Sequence, residues 1–162
     1  MAEAFLVRVL SALFLLLSAY PAAAGEIDRL IGEWQSPDGS SKQSFESAFD
    51  GEWVDTRLWF RTPDGWKLVS RGAMYRQPGV DAWRGIARAT DMQGIVLFEF
   101  TVEADGEGGF LARNTAYMDT GEAMRTEEDW LFVADDRWIY TVYSLENDER
   151  KPWIRGEWVR AE

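Results

Sequence analysis

Glu127, Glu128 and Asp129 stand together in the middle of a strand-like stretch, between Met124 and Trp130. Carboxylates grouped this way can bind cations, move protons or pair with arginine. Alternation sends Glu128 to one side and its two neighbours to the other. If Glu128 faces an apolar interior, burial disfavours its charged form unless an arginine or several donors compensate. Such a group could anchor a cationic or hydroxylated ligand, or serve as a general acid. It could equally be half of a buried Glu–Arg pair, or sit on a bulge with all three acids in water. Glu99, in Ile95-Val96-Leu97-Phe98-Glu99-Phe100, is the other candidate acid. With Glu128 it would make a glycosidase-type pair if the carboxyls lay about 5–9 Å apart. A solvent-facing Glu on an amphipathic strand explains the same letter.

The chain contains no histidine and no cysteine. This removes the commonest metal ligand and the usual general base near neutral pH. Ser-His-Asp triads, thiolate nucleophiles, Cys/His zinc sites and His-ligated haem are excluded with it. The Asp-Gly clusters at 38–39, 50–51 and 64–65, and Asp105-Gly106-Glu107-Gly108, do not fit the twelve-residue calcium loop and read as turns. No catalytic residue, metal or cofactor is therefore assigned. A formal charge of −11 repels phosphate backbones, so nucleic acid is not an expected partner. Arg71, Arg76, Arg84, Arg88, Arg113 and Arg125 alternate within strand-like stretches. They could hook a carboxylate or phosphate. With 28 acids in the chain, outward cross-strand partnership is the expected reading.

Residues 1–24 have the form of a signal peptide. Arg8 precedes an apolar run from Val9 to Ala19, and Ala22-Ala23-Ala24 supplies a cleavage signal. The run is shorter than the ~20 residues that a bilayer span needs. The expected product is an exported domain, periplasmic or secreted, over residues 25–162, with no membrane anchor after cleavage and no disulfide.

Within that domain the period-two pattern is broken every 8–12 residues by turn signals such as Ser36-Pro37-Asp38-Gly39, Asp50-Gly51, Thr62-Pro63-Asp64-Gly65 and Gln77-Pro78-Gly79. After a short helical turn over 26–31, strands are expected near 33–36, 42–49, 52–60, 66–76, 82–90, 95–102, 110–118, 122–133, 137–145 and 153–160. Short loops imply antiparallel neighbours, and closure removes exposed edges. The expected fold is all-β: a single up-and-down antiparallel barrel of about ten strands.

Faces follow from the Asp50-Gly51 hairpin. A two-residue turn places Phe49 opposite Glu52, so Phe45, Ser47 and Phe49 share an inward face with Val54, Thr56, Leu58 and Phe60. Alternation extends the inward set to Trp66, Leu68, Ser70 and Met74, then to Val96, Phe98 and Phe100. Further on it takes in Phe110, Ala112, Asn114, Glu128, Trp130, Tyr140, Val142, Ile154, Trp158 and Arg160. A barrel of this size holds a core or one small ligand. The candidate ligand-binding set is Glu128, Asn114, Tyr140 and Ser70 as polar groups, with Trp130, Phe98 and Leu68 as walls.

Leu30-Ile31-Gly32-Glu33-Trp34, Phe49-Asp50-Gly51-Glu52-Trp53, Trp83 and Trp158-Val159-Arg160 resemble the calycin group of barrels. More closely, they resemble a family of small bacterial lipocalin-like domains whose function is not established. The resemblance implies a structural set of Gly32, Trp34 and Arg160, with the Trp of the opening Gly-x-Trp packed under the last-strand Arg at the closed end. Ligands of better-known barrels do not carry over. Nitrobindin-like barrels hold haem through a His absent here. Fatty-acid-binding barrels use Arg-x-Tyr, where this chain has Arg155-Gly156-Glu157.

Three functions remain open from sequence. The first is non-covalent binding of a small, largely apolar molecule inside the barrel. The second is a filled barrel whose outer or rim Trp residues (Trp53, Trp59, Trp83, Trp153) bind an envelope protein or a glycan. The third is a carboxylate-based enzyme.

Overall fold

In the computed structural model, which describes residues 27–147 and 149–161, ten strands close into one antiparallel barrel. The leader expected at 1–24 lies outside the described residues. One 3-10 turn, Ile27–Arg29, precedes β1 (Gly32–Gln35), β2 (Ser41–Ala48), β3 (Trp53–Thr62), β4 (Gly65–Arg76) and β5 (Trp83–Met92). Then come β6 (Ile95–Ala104), β7 (Gly109–Met118), β8 (Ala123–Ala134), β9 (Arg137–Glu146) and β10 (Glu149–Arg160). Each strand pairs with its sequence neighbour, and β1 closes the ring against β10. Turn signals and period-two alternation place all ten strands where the sequence puts them. The ends differ by a few residues.

An up-and-down barrel collects alternate turns at one end. The N-terminal turn, the 49–52 turn and the 105–108 and 135–136 turns gather at what becomes the closed end. There Arg29 donates to the Gly108 carbonyl (3.2 Å) and its guanidinium lies 4.1 Å from the Phe132 ring centre. Ile27, Leu30 and Trp34 are wholly buried beneath it. Trp34 donates its indole N–H to the Leu30 carbonyl (2.7 Å), satisfying the one polar atom that burial would strand. Phe110, Phe132 and Trp138 continue the plug through edge and tilted ring contacts at 6.1–6.4 Å.

Pairing of β2 with β3 keeps the expected register, Phe45 opposite Thr56 and Ser47 opposite Val54. The turn itself is longer than two residues. Phe49 and Asp50 both adopt positive φ (51° and 55°), so Ala48 and Trp53 are the last pair and Phe49 stands in solvent, 77 % exposed. Its expected inward position is corrected by that turn geometry.

A β-bulge produces the larger correction. In β4, Ser70 opposes Leu58 but Leu68 opposes Trp59, leaving Val69 as the extra residue. One inserted residue flips the phase of everything before it. Leu68 and Trp66, expected inside, therefore share the outer face with Trp59 and Arg61. Trp83 is also displaced from expectation: β5 carries it on the inner side with Gly85 and Ala87, and it is buried in the core rather than at the rim.

Candidate functional site

The interior is not filled. A cavity of about 350 Å³ lies above the plug, with Phe45, Leu58, Met74, Phe98, Phe100, Trp130, Trp138, Val142 and Trp158 among its walls. Ile154 also lines it, level with Val142, as do Ser41, Phe60 and Met92, which sit near the turns of the end opposite the plug. Of the seven sequence-derived ligand residues, Ser70, Phe98, Asn114, Glu128, Trp130 and Tyr140 converge on this cavity. Leu68 does not, for the bulge has turned it outward.

Their convergence is a matter of register. Asn114 faces Thr126 across β7 and β8, two pairs from Ala112 opposite Glu128. Trp130 faces Tyr140, and Glu128 faces Val142, across β8 and β9. Side chains two apart on one strand and their opposite numbers on the next share a face. Asn114, Glu128, Trp130 and Tyr140 are thus brought together by pairing alone.

Glu128 is the chemical centre. Asn114 donates its amide N–H to Oε1 at 2.8 Å, and Trp130 donates its indole N–H to Oε2 at 2.9 Å. Both donors are neutral. Burial pushes the Glu128 carboxyl above the ordinary carboxylate range, and the two hydrogen bonds only partly oppose it. Glu128 is half-buried, and it lines the cavity. Among the described residues, Arg57 is the one basic residue on the cavity wall, and its guanidinium pairs with Glu46 on the outer face. The buried Glu–Arg pair weighed from sequence is not formed.

Tyr140 borders the carboxylate. Its hydroxyl is pushed up by burial, then by the charge of Glu128, then by that of Asp38 on the β1–β2 turn. Asp38 is itself held ionised, down to about 2, by hydrogen bonds from Ser36 and Ser40. The Tyr140 ring lies flat over Gly156, its partner across β9 and β10; a Cβ there would stand 2.4 Å from the phenol. The absence of a side chain at 156 sets the ring's position. Sequence reading treated Gly156 only as a break in a motif.

Trp138 adds a donor without a partner: its Nε1 is buried and makes no hydrogen bond among the described residues. An unmet buried N–H costs free energy of about 1–3 kcal/mol.

Glu99 lies elsewhere. It projects on the outer face, where Tyr117 donates to it at 3.0 Å. Glu99 and Glu128 occupy opposite sides of the sheet, so the paired-carboxylate arrangement does not exist. A larger depression, about 690 Å³, runs across the outside of β5 to β8. Arg113 there is bonded to Glu103 (2.8 Å) and Glu127 (3.5 Å), while Arg84 and Arg125 make no ion pair among the described residues. The interior cavity is smaller, but its unpaired acid Glu128 and the unmet Trp138 N–H lie inside the barrel, and it is the better candidate site.

At the closed end the Arg160 guanidinium lies 4.3 Å from the Trp34 ring centre, and the two residues are direct partners between β1 and β10. Gly32 completes the arrangement. A Cβ there would come within 2.6 Å of Arg160 Nη1.

Among the described residues no three acidic side chains come together as a metal site, and no helix is long and apolar enough to cross a membrane. No family model and no curated protein matches this sequence.

Proposed function

We propose that this chain is an exported, lipocalin-like barrel that binds one small, largely apolar molecule non-covalently in its interior. The observation that carries the reading is the cavity of about 350 Å³, with aromatic and aliphatic walls and four polar residues (Ser70, Asn114, Glu128, Tyr140) on one lining. Apolar concavities with a few fixed polar groups are the usual form of small-molecule sites. The opening Gly-x-Trp packed under a last-strand Arg supports the lipocalin-like assignment. A leader over residues 1–24 supports export.

Native mass spectrometry and fluorescence titration with a neutral apolar probe, N-phenyl-1-naphthylamine, test the reading. Leu58→Trp, which fills the cavity from one wall, is expected to abolish binding while leaving the β-sheet circular dichroism intact. Unaltered probe binding in that variant would place the probe outside the barrel and end the reading. Export is tested by N-terminal sequencing of the secreted or periplasmic product, with Gly25 as the expected first residue.

A second reading is favoured by the outer aromatics. Trp53 stacks on Tyr75 with ring centres 6.0 Å apart beside the exposed Phe49. Lys42 lies over both Trp59 and Trp66. Flat indoles held this way suit a glycan or an envelope protein. Trp59→Ala and Trp53→Ala would then abolish retention on cell-envelope polysaccharide, whereas Trp130→Phe would not.

A further inference from the structure

We propose that the molecule held in the barrel is an organic cation, an apolar body carrying a quaternary or protonated amine, with its charge set against Glu128 among the rings of Trp130, Trp138, Tyr140 and Trp158. The inference rests on the binding role proposed above and names the ligand's chemical class.

The carboxylate is the first ground. Both of its oxygens accept from neutral donors, and no cation of the protein reaches it among the described residues. A buried carboxylate without a countercharge is costly, so such a group either keeps its proton, the direction in which burial pushes Glu128, or is paired. A ligand cation supplies the missing partner. Glu128 lines the space where that partner would sit.

The rings are the second. Trp130 and Trp138 lie 5.6 Å apart, Trp138 and Trp158 6.1 Å, and Trp158 and Tyr140 6.2 Å, centre to centre. They form a continuous aromatic wall that reaches the carboxylate through the Trp130 N–H bond. The negative faces of indole and phenol rings attract cations, most strongly when water is excluded. Neutral apolar ligands need the rings but not the acid. Anionic ones are repelled by it.

The field of the molecule is the third. Asp38, ionised on the β1–β2 turn, joins Glu128 in acting on Tyr140. The whole chain carries −11. Charge of one sign focused along a low-dielectric cleft concentrates the opposite ion there. Among the described residues the inner wall offers a carboxylate or phosphate no free cation, since Arg57 is engaged by Glu46.

Three probes with one tail and different heads decide the matter: octyltrimethylammonium, 1-octanol and octanoate. Each is titrated at pH 7.5 into the wild-type chain and into Glu128→Gln by calorimetry. The expected order in the wild type is cation at least tenfold tighter than alcohol, with octanoate weakest. In Glu128→Gln the cation's advantage over octanol should vanish. Octanol bound as tightly as the cation, or a cation advantage that survives in Glu128→Gln, would overturn the inference and leave the apolar-carrier reading standing. Failure of all three probes in the wild type would sink both. The wild-type ranking needs no variant, so a Glu128→Gln chain that does not fold still leaves a decisive result.

Discussion

Arg160 covers Trp34: the guanidinium carbon stands 4.3 Å from the centre of an indole that is wholly buried. The same guanidinium donates to the carbonyls of Ile31 (2.9 Å) and Arg29 (3.1 Å), so the last strand is tied to the plug by hydrogen bonds as well as by the ring. Arg160→Met is expected to lower stability by about 2 kcal/mol in urea unfolding. That figure combines a partly exposed cation–π contact with the lost charged hydrogen bonds, discounted for solvent. Arg160→Lys should recover less than half of it, because an ammonium cannot hold two carbonyls in a planar fork. A loss under about 0.5 kcal/mol for Arg160→Met, the range of an ordinary surface substitution, would reduce the contact to decoration. Gly32→Ala should cost at least as much as Arg160→Met, since the residue has φ 130° and its Cβ would strike Arg160 Nη1.

Gly156 and Tyr140 give a test of ring placement. Gly156→Ala drives a methyl into the phenol and is expected to destabilise by about 1–3 kcal/mol, as overpacking does. In a Tyr140→Leu background the same change should cost markedly less. The double-mutant cycle should show a coupling of about 1 kcal/mol or more. Additive penalties would mean that the glycine serves the strand and not the ring.

Glu128 makes stability depend on pH in a defined direction. Its folded-state pKa lies above the unfolded value, so the folded chain keeps a proton that the unfolded chain has released. Below about pH 4.3 both states are protonated and the contribution is fully present. As pH rises through the raised folded value the contribution is lost. The other titratable groups of this region are Tyr140, which stays protonated and neutral in that range, and Asp38, which stays ionised. Wild-type stability, measured relative to Glu128→Gln at each pH, should therefore fall as pH rises from about 4 through the raised folded value. A flat difference across that range, by chemical denaturation, would contradict the buried state of this acid.

Outside the barrel, Arg57, Arg71 and Arg88 stand side by side across β3, β4 and β5. Arg57 has Glu46 as its partner, and like charges placed directly opposite one another destabilise a sheet. Arg71→Thr is expected to stabilise the protein by about 0.5 kcal/mol, with the gain shrinking as salt screens the repulsion. Thermal melts in 20 mM and 500 mM salt would check both statements. A destabilised Arg71→Thr would show that the row is held by attractions not yet recognised.

Much of this molecule was legible without coordinates. Alternation and turn chemistry are local, so ten strands, their antiparallel order and the β2–β3 register could be read from letters. Alternation also sufficed to aim Asn114, Glu128, Trp130 and Tyr140 the same way, since no bulge falls between β7 and the part of β8 that carries Glu128. Leu68 and Trp66 could not be aimed correctly. The extra residue at Val69 leaves no mark in the pattern, because Val suits either face. Phe49 was misplaced for a related reason: two consecutive positive-φ residues without glycine are held by the turn they belong to, not by their own preference.

What the sequence determined alone, then, is the alternating backbone and the chemistry it cannot perform, because those depend on residue type and on neighbours one or two positions away. Whether Glu128 would meet an arginine or stand uncompensated before an empty space was decided only in three dimensions. The answer depends on which of sixteen basic residues in the expected mature domain the closed ring carries inward, and on how much volume the inward side chains leave, about 350 Å³ here. Both are sums over strands far apart in the chain, and no local pattern encodes them.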